Sequence, residues 1–256
     1  MEFGYIVAGF VVGLLVGLTG VGGGSLMTPI LVLLFHVKPA LAVGTDLLYA
    51  SITKSVGILA HGKLGNIDWK IVRHLAYGSV PASIITTFNL KHMDIASDAA
   101  VNTIKFWLGI ALIITSFSVL FRNQLAALSR KEHLINENAT PAITFILGIF
   151  LGALVTLTSV GAGALGVTAL LIIYPKRPIN TIIGSDIAHA VPLTLVAGLG
   201  HASIGTVDYK LLGILLIGSL PGIWIGSHLS SKIAEHWVRI ALALILIFVG
   251  FKLVFN

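Results

Sequence analysis

Long apolar stretches with almost no charged residues dominate the chain. The uncharged runs at 3–37 and 138–175 are 35 and 38 residues long. A helix of about 20 apolar residues is enough to cross a bilayer, and the backbone of a spanning segment must satisfy its own hydrogen bonds. The pattern therefore predicts an all-α, polytopic membrane protein. Small residues interrupt each run near its middle, with the sequences TGVGGGS at 19–25 and TSVGAGA at 158–164.

The second half of the chain repeats the first. The aligned segments are 9–26 with 148–165, and 44–70 with 184–210. Nine of 27 positions are identical in the second pair, including Asp46 with Asp186 and His61 with His201. Hydropathy alone does not explain matched Asp and His residues, so we interpret the pattern as an internal duplication. The predicted units are a first repeat at 1–121, a polar cytoplasmic linker at 122–139 and a second repeat at 140–256.

Each repeat is predicted to hold a glycine-broken helical hairpin followed by three transmembrane helices. The predicted segments are 4–36, 44–61, 71–90 and 102–121, then 142–174, 184–202, 211–230 and 236–254. If each broken element returns to its starting side, the repeats are inverted and the loop Lys and Arg residues divide ten to five between the faces. If each element crosses once, they divide eight to seven. Cytoplasmic loops are enriched in Lys and Arg, so we favour inversion, with both termini outside the cytoplasm. The sequence leaves open whether the broken elements are full hairpins or re-entrant segments.

Composition and motifs narrow the functional classes. Charged residues make up only 10% of the chain, against about 25% in soluble domains, which excludes a soluble enzyme. The chain has a net charge of +6. Its basic residues lie in short loops, where they act as topology signals, so we predict no nucleic-acid partner. The absence of Cys excludes disulfides and thiolate metal sites. No hydrolase, metalloprotease or nucleotide-binding motif is present, and we predict a non-enzyme without cofactor or metal. The first apolar stretch lacks a basic leader and is interpreted as part of the mature fold.

The two helix breaks predict a binding site for a small anion. Glycine-broken helices at matching positions of inverted repeats indicate the central site of a transporter. A helix that starts after such a break directs free N–H groups and a positive dipole end at it, and glycine lets an oxyanion come close. Tight helix packing is the competing explanation of the glycines. The candidate binding residues are Thr19, Gly22, Gly23, Gly24, Ser25, Thr158, Ser159, Gly161, Gly163 and Lys54.

Charged residues follow each break. Lys54 lies eight residues after Asp46, about 12 Å along a helix. A charge at that depth indicates a functional site, where Lys54 either attracts an anion or pairs with a carboxylate. Asp46 and Asp186 follow Gly-Thr and Gly-Ser, a helix-start pattern that favours a structural role in the first turn. A proton relay or a cation site is the alternative role for the two Asp residues.

Three histidines complete the polar candidates. His61 and His201 end their predicted spans, and we expect them to hydrogen-bond loop backbone instead of binding a metal. His189 lies inside a span, where a buried histidine with its hydrogen bonds satisfied is commoner than a proton carrier.

The duplicated glycine-rich element, followed by Gly-Thr-Asp at 44–46 and Gly-Ser-Asp at 184–186, resembles the TauE/SafE family of sulfite exporters over nearly the whole chain. The second cluster reads Gly-Ala-Gly in place of the family's GxGG. The resemblance implies a multi-pass protein of a bacterial or archaeal inner membrane that exports a small sulfur-containing anion, such as sulfite or sulfoacetate. We expect alternating access, with the anion held between the two breaks. The alternatives are a permease for another small anion and a cation-coupled importer that uses Asp46 and Asp186. Exact substrate, direction, coupling ion and oligomeric state stay open.

Overall fold

The predicted all-helical fold is confirmed. The computed structural model describes residues 2–19, 24–63, 65–95, 97–132, 135–136, 138–229 and 235–255, and these contain helices but no strand. The helices are α1 (Glu2–Thr19), α2 (Gly24–Leu33), α3 (Pro39–Lys63), α4 (Trp69–His92), α5 (Asp98–Glu132), α6 (Thr140–Thr158), α7 (Ala164–Ile173), α8 (Ile179–Ser203), α9 (Tyr209–Leu229) and α10 (Glu235–Phe255).

The outer surface of the helix bundle is apolar. Within the described part of the chain, five helices are long and apolar enough to cross a membrane: α5, α6, α8, α9 and α10. Large side chains on their outer faces are open to the surroundings, among them Ile146, Trp224 and Phe248, with 61%, 65% and 70% of their surface exposed. Such a surface requires lipid in place of water. The protein is therefore a multi-pass membrane protein.

Each broken element returns to the end of the molecule at which it starts. The rings of Tyr5 in α1 and Phe35 after α2 lie 4.5 Å apart between centroids. The hydroxyls of Thr144 in α6 and Tyr174 after α7 lie 2.9 Å apart. Helices α2 and α7 have 10 residues each, and a helix of that length rises about 15 Å, half of a hydrocarbon core of about 30 Å. The break after α6 therefore lies near mid-depth.

The first helix of each hairpin packs on the other half of the chain through glycine. Helix α1 lies along α9, where a Cβ at Gly13 would meet the backbone carbonyl of Ser219. Helix α6 lies along α4 with the equivalent contact between Gly152 and Ser79. Side chains larger than hydrogen would push these helix pairs apart, as expected of close membrane-helix contacts.

Helices α3 and α8 cross at the centre in opposite directions. Gly44 near the start of α3 lies against His201 near the end of α8, and Leu48 lies against Gly198. Helices α5 and α10 are also antiparallel, with Gly109 against Gly250 and the Ser116 hydroxyl donating to the Ala243 carbonyl at 2.7 Å. Equivalent helices of the two halves thus run in opposite directions in these two pairs. An inverted topology across a membrane stays a prediction.

Three helix boundaries differ by five residues or more from those the sequence predicts. Helix α3 begins at Pro39 and α8 at Ile179, just after Pro178, five residues before the predicted starts at 44 and 184. Proline fixes a helical φ and has no N–H to satisfy, so it favours an earlier start. Helix α5 continues to Glu132, into the segment predicted as linker. Most of this segment is exposed or half-buried, but Ser129 is buried and its hydroxyl donates to the Ile172 carbonyl at 2.6 Å, which holds the extension of α5 against the end of α7.

Candidate functional site

The break between α6 and α7 is a buried turn with a defined backbone conformation. Ser159 ends α6 in the left-handed conformation, with φ 58°, and Gly161 and Gly163 have φ values of 115° and 122°. The Thr158 hydroxyl accepts the backbone N–H two residues on, at 3.1 Å. Side chains with a Cβ rarely adopt the two glycine conformations, so glycine here shapes the backbone. Helix α7 then begins at Ala164, and its first N–H groups point at the break.

Lys54 of the first half reaches this break in the second half. The Lys54 side chain is buried, with only 6% of its surface exposed. Its Nζ donates to the Ala162 carbonyl at 2.7 Å. The ammonium also lies in the electrostatic field of Asp46 and Asp186. A buried cation near two buried carboxylates is costly to assemble and marks a candidate functional site.

Asp46 connects its own hairpin with the opposite one. One carboxylate oxygen accepts the Thr28 hydroxyl at 2.6 Å and the Thr28 backbone N–H at 3.2 Å. Ser159 of the second break lies beside the same carboxylate, although Asp46 Oδ1 and Ser159 Oγ make no hydrogen bond of standard geometry within the described part. Because α3 starts at Pro39, Asp46 lies in the third turn, and the predicted first-turn role is wrong.

Asp186 lies where the sequence places the substrate anion. Its carboxylate lies by the Gly163 N–H and against Gly166, beside the start of α7. Among the described residues, neither of its oxygens makes a hydrogen bond of standard geometry. Like Asp46 it lies in the third turn of its helix, because α8 starts at Ile179. A side chain of this protein thus brings a negative charge to the amides that would bind an anion.

The polar residues around this centre form equivalent pairs. His189 contacts the Ser79 hydroxyl through Nε2 at 2.7 Å, and Tyr49, its counterpart in the repeat, lies beside Ser219. Both His189 and Tyr49 are almost fully buried. His189 is thus a buried histidine with a hydroxyl partner, at the contact between α8 and α4.

His201 fixes the end of α8. Its Nε2 lies 3.0 Å from the Thr156 carbonyl and its Nδ1 lies 2.8 Å from the Thr206 hydroxyl. These partners lie on α6 and in the loop after α8, so the ring connects the hairpin with the loop. Among the described residues, no group of three or more metal-ligating side chains occurs.

Part of the predicted site lies outside the described residues. Gly22 and Gly23 are outside the described residues, and so are the side chains of Thr19, Ser25 and His61. Gly24 is described as the first residue of α2. Sequence reasoning missed Thr28, the partner of Asp46, and the Ala162 carbonyl, the partner of Lys54. A backbone carbonyl carries no sequence signal, whereas a threonine inside an apolar helix is a weak one.

The comparison with known proteins decides the family. A model described as sulfite exporter TauE/SafE matches residues 5–253. The chain belongs to the TauE/SafE family of sulfite exporters. The probable membrane transporter protein YjnA of Bacillus subtilis is similar to this TauE/SafE protein, at 38% identity over 257 residues, covering 99% of this chain and 100% of the relative.

More distant relatives carry similar names. The probable membrane transporter protein YdhB of Bacillus subtilis is 27% identical, with 96% of this chain and 97% of the relative covered. A probable membrane transporter protein of Methanocaldococcus jannaschii is 29% identical, with coverages of 94% and 91%. No solved structure matches the chain significantly. This TauE/SafE protein is thus a member of a membrane transporter family, consistent with the prediction of a non-enzyme.

Proposed function

We propose that this TauE/SafE protein exports a small sulfur-containing oxyanion, such as sulfite or sulfoacetate, across the inner membrane of a bacterial or archaeal cell. The observation that carries the proposal is the buried Lys54 ammonium at the break between α6 and α7. A cation at mid-depth, beside amides at a helix start, suits a compact anion with several oxygens.

The substrate would replace the Ala162 carbonyl as the partner of Lys54. The Thr158 and Ser159 side chains lie in the same turn, and the start of α7 at Ala164 adds backbone donors. The glycines let an oxyanion approach the backbone, since they present no Cβ. The equivalent break of the first half, which includes Gly22 and Gly23, is proposed to complete the site from the other side.

Alternating access follows from a duplicated architecture. In two inverted repeats each half can adopt the conformation of the other, which exchanges the open and closed ends around a fixed site. The antiparallel crossing of α3 and α8 at the centre supports this mechanism. An anion that leaves a negative interior gains about 2.3 kcal/mol per charge per 100 mV, so export needs no further coupling ion.

Flux of labelled sulfite through proteoliposomes tests the proposal. We expect uptake to saturate, with inhibition by sulfoacetate. In K54Q the charge is removed while a polar side chain with N–H donors is kept, and we expect the flux to fall by about two orders of magnitude or more, as for loss of a key electrostatic donor. The control is Thr194→Val at the equivalent position, because the Thr194 hydroxyl bonds its own helix at Ala190, 2.8 Å away.

The results separate three outcomes. Intact, monodisperse protein that neither binds nor moves sulfite or sulfoacetate contradicts the proposed substrate class. Faster flux of phosphate or another small anion than of sulfite supports the alternative of a different anion permease. If K54Q keeps wild-type flux, Lys54 is a structural residue only.

A cation-coupled importer is the second candidate. It is favoured by the buried Asp186 carboxylate, whose oxygens have no partner of standard geometry in the described part, and by Asp46 close to the same centre. Flux into proteoliposomes that requires Na⁺ or another cation, and loses this requirement in Asp46→Asn or Asp186→Asn, would support it. Flux independent of the cation excludes it.

A further inference from the structure

Two cavities open at equivalent places in the two halves. The Lys70 cavity has a volume of about 470 Å³ and includes Asp68, Lys70, His74, Tyr174, Lys176 and Arg177. The Lys210 cavity has a volume of about 340 Å³ and includes Glu2, Phe35, His36, Lys38, Asp208 and Lys210. Asp68 matches Asp208 and Lys70 matches Lys210 in the aligned repeats. The two cavities are therefore the same feature of the fold, formed once by each half.

The cavities lie at opposite ends of the molecule. Helix α3 begins at Pro39, next to Lys38 of the Lys210 cavity, whereas α8 begins at Ile179, two residues after Arg177 of the Lys70 cavity. Since α3 and α8 are antiparallel, their first residues point to opposite ends. A polar contact occurs at the rim of each cavity: the Ser185 hydroxyl accepts the Asp68 N–H at 2.8 Å, and the Thr45 hydroxyl accepts the Asp208 N–H at 3.0 Å.

The charges of the two cavities differ although the folds match. The described lining of the Lys70 cavity carries three basic side chains, those of Lys70, Lys176 and Arg177, against one carboxylate. The described lining of the Lys210 cavity carries two basic and two acidic side chains. Arg177 pairs with Asp68 at 2.9 Å and Lys210 pairs with Glu2 at 2.6 Å. The Lys70 cavity is thus net positive and the Lys210 cavity is neutral.

We infer that the Lys70 cavity is a loading vestibule for small oxyanions and that the Lys210 cavity is the release side. The inference rests on the proposed function and deepens it by assigning the two ends different roles. A basic cleft with low-dielectric walls concentrates anions and raises their association rate by about 10- to 1,000-fold. A neutral cavity at the other end holds the anion less strongly, so loading is faster at the Lys70 end, whereas the electrochemical gradient sets the net direction.

Charge-selective labelling measures this asymmetry without a substrate. The chain contains no Cys, so a single cysteine reports on one site. H74C and I214C occupy equivalent positions that line the two cavities. For each we compare the reaction rates with an anionic and a cationic methanethiosulfonate reagent. We expect the anionic-to-cationic rate ratio to be about tenfold higher at position 74 than at position 214, and to fall with rising salt.

Paired charge removal provides the control. Lys70→Gln with Lys176→Gln should reduce the ratio at position 74 to that at position 214, whereas Lys38→Gln with Lys210→Gln should leave the ratio at position 74 unchanged. Two results would contradict the vestibule. One is an equal ratio at positions 74 and 214 in the chain with no charge removed. The other is a ratio at position 74 that does not change when Lys70 and Lys176 are replaced.

Sided flux tests the directional part. For labelled sulfite entering from the Lys70 cavity, the Lys70→Gln and Lys176→Gln pair should raise KM at least threefold with the maximal rate unchanged, and entry from the other end should keep its KM. An equal KM change for entry from the two ends contradicts the inference. Labelling asymmetry in a protein that moves neither sulfite nor sulfoacetate would instead reject the proposed substrate and keep the anion vestibule.

Discussion

At the scale of single residues, the two halves differ in charge at Lys54. Its counterpart Thr194 donates to Ala190 within its own helix, whereas Lys54 reaches across to Ala162 in the other half. One cation therefore serves a centre that contains two equivalent carboxylates. We expect the charges at this centre, more than the glycines, to select the ion, since a buried charge acts in a low dielectric.

Removal of the Asp186 charge is predicted to strengthen the binding of an anion. Its carboxylate lies beside Gly163 and Gly166 at the start of α7, so we predict that it competes with a substrate anion for the same amides. Asp186→Asn keeps the shape and removes the charge, and we expect it to bind sulfite about tenfold more tightly, in line with one nearby like charge in a partly polar interior. Equilibrium binding of labelled sulfite to purified protein measures this.

The matched control is Asp208→Asn, because Asp208 lines the Lys210 cavity and not the break between α6 and α7. Its sulfite affinity should stay within twofold of the unmodified protein. Weaker binding in Asp186→Asn, with an unchanged thermal transition, would contradict competition and favour Asp186 as a cation ligand.

At the scale of helices, glycine serves two different purposes. Gly13, Gly148 and Gly152 are packing glycines, since a Cβ on any of them would meet the backbone of a neighbouring helix. Gly161 and Gly163 are conformational glycines, with positive φ values and, at Gly161, only side chains nearby. The sequence shows all of them as small residues in apolar runs and does not separate the two purposes.

Gly161→Val tests the conformational purpose. A valine at φ 115° costs about 1–3 kcal/mol of backbone strain, so the break must change shape. We expect sulfite flux to be lost while the helix content by circular dichroism stays unchanged, with a lower thermal transition. Gly213→Ala is the control, because a Cβ there meets nothing within 4 Å, and it should transport normally. Wild-type flux in Gly161→Val would mean that the break is no part of the substrate path.

The element pattern could be predicted from the sequence because apolar length and repeated glycines are local signals. They identify the broken hairpins, and the structure brings Thr144 to Tyr174 accordingly. Helix starts were predicted less well, since α3 begins at Pro39 and α8 directly after Pro178, five residues before the predicted starts. The contacts of Lys54 and Asp46 could not be predicted, because they depend on which helices cross and not on residue spacing.

At the scale of the whole molecule, the two halves are interlocked. Helix α1 packs on α9 and α6 packs on α4, so glycine contacts such as Gly13 with Ser219 join the first hairpin to the second half. The central pair α3 and α8 contributes one carboxylate each, Asp46 and Asp186, to the same buried centre. The proposed site is therefore shared between the two halves.

The topology prediction applies to this whole arrangement and follows from the loop charges. Lys38 and Lys176 line cavities at opposite ends, and the face richer in Lys and Arg is expected in the cytoplasm. In the Cys-free chain, K176C should therefore react with an impermeant maleimide only after the cytoplasmic face is exposed, whereas K38C should react in intact cells or spheroplasts. Labelling of the two variants from the same face would contradict inverted repeats, because the antiparallel α3 and α8 could not then span the membrane from end to end.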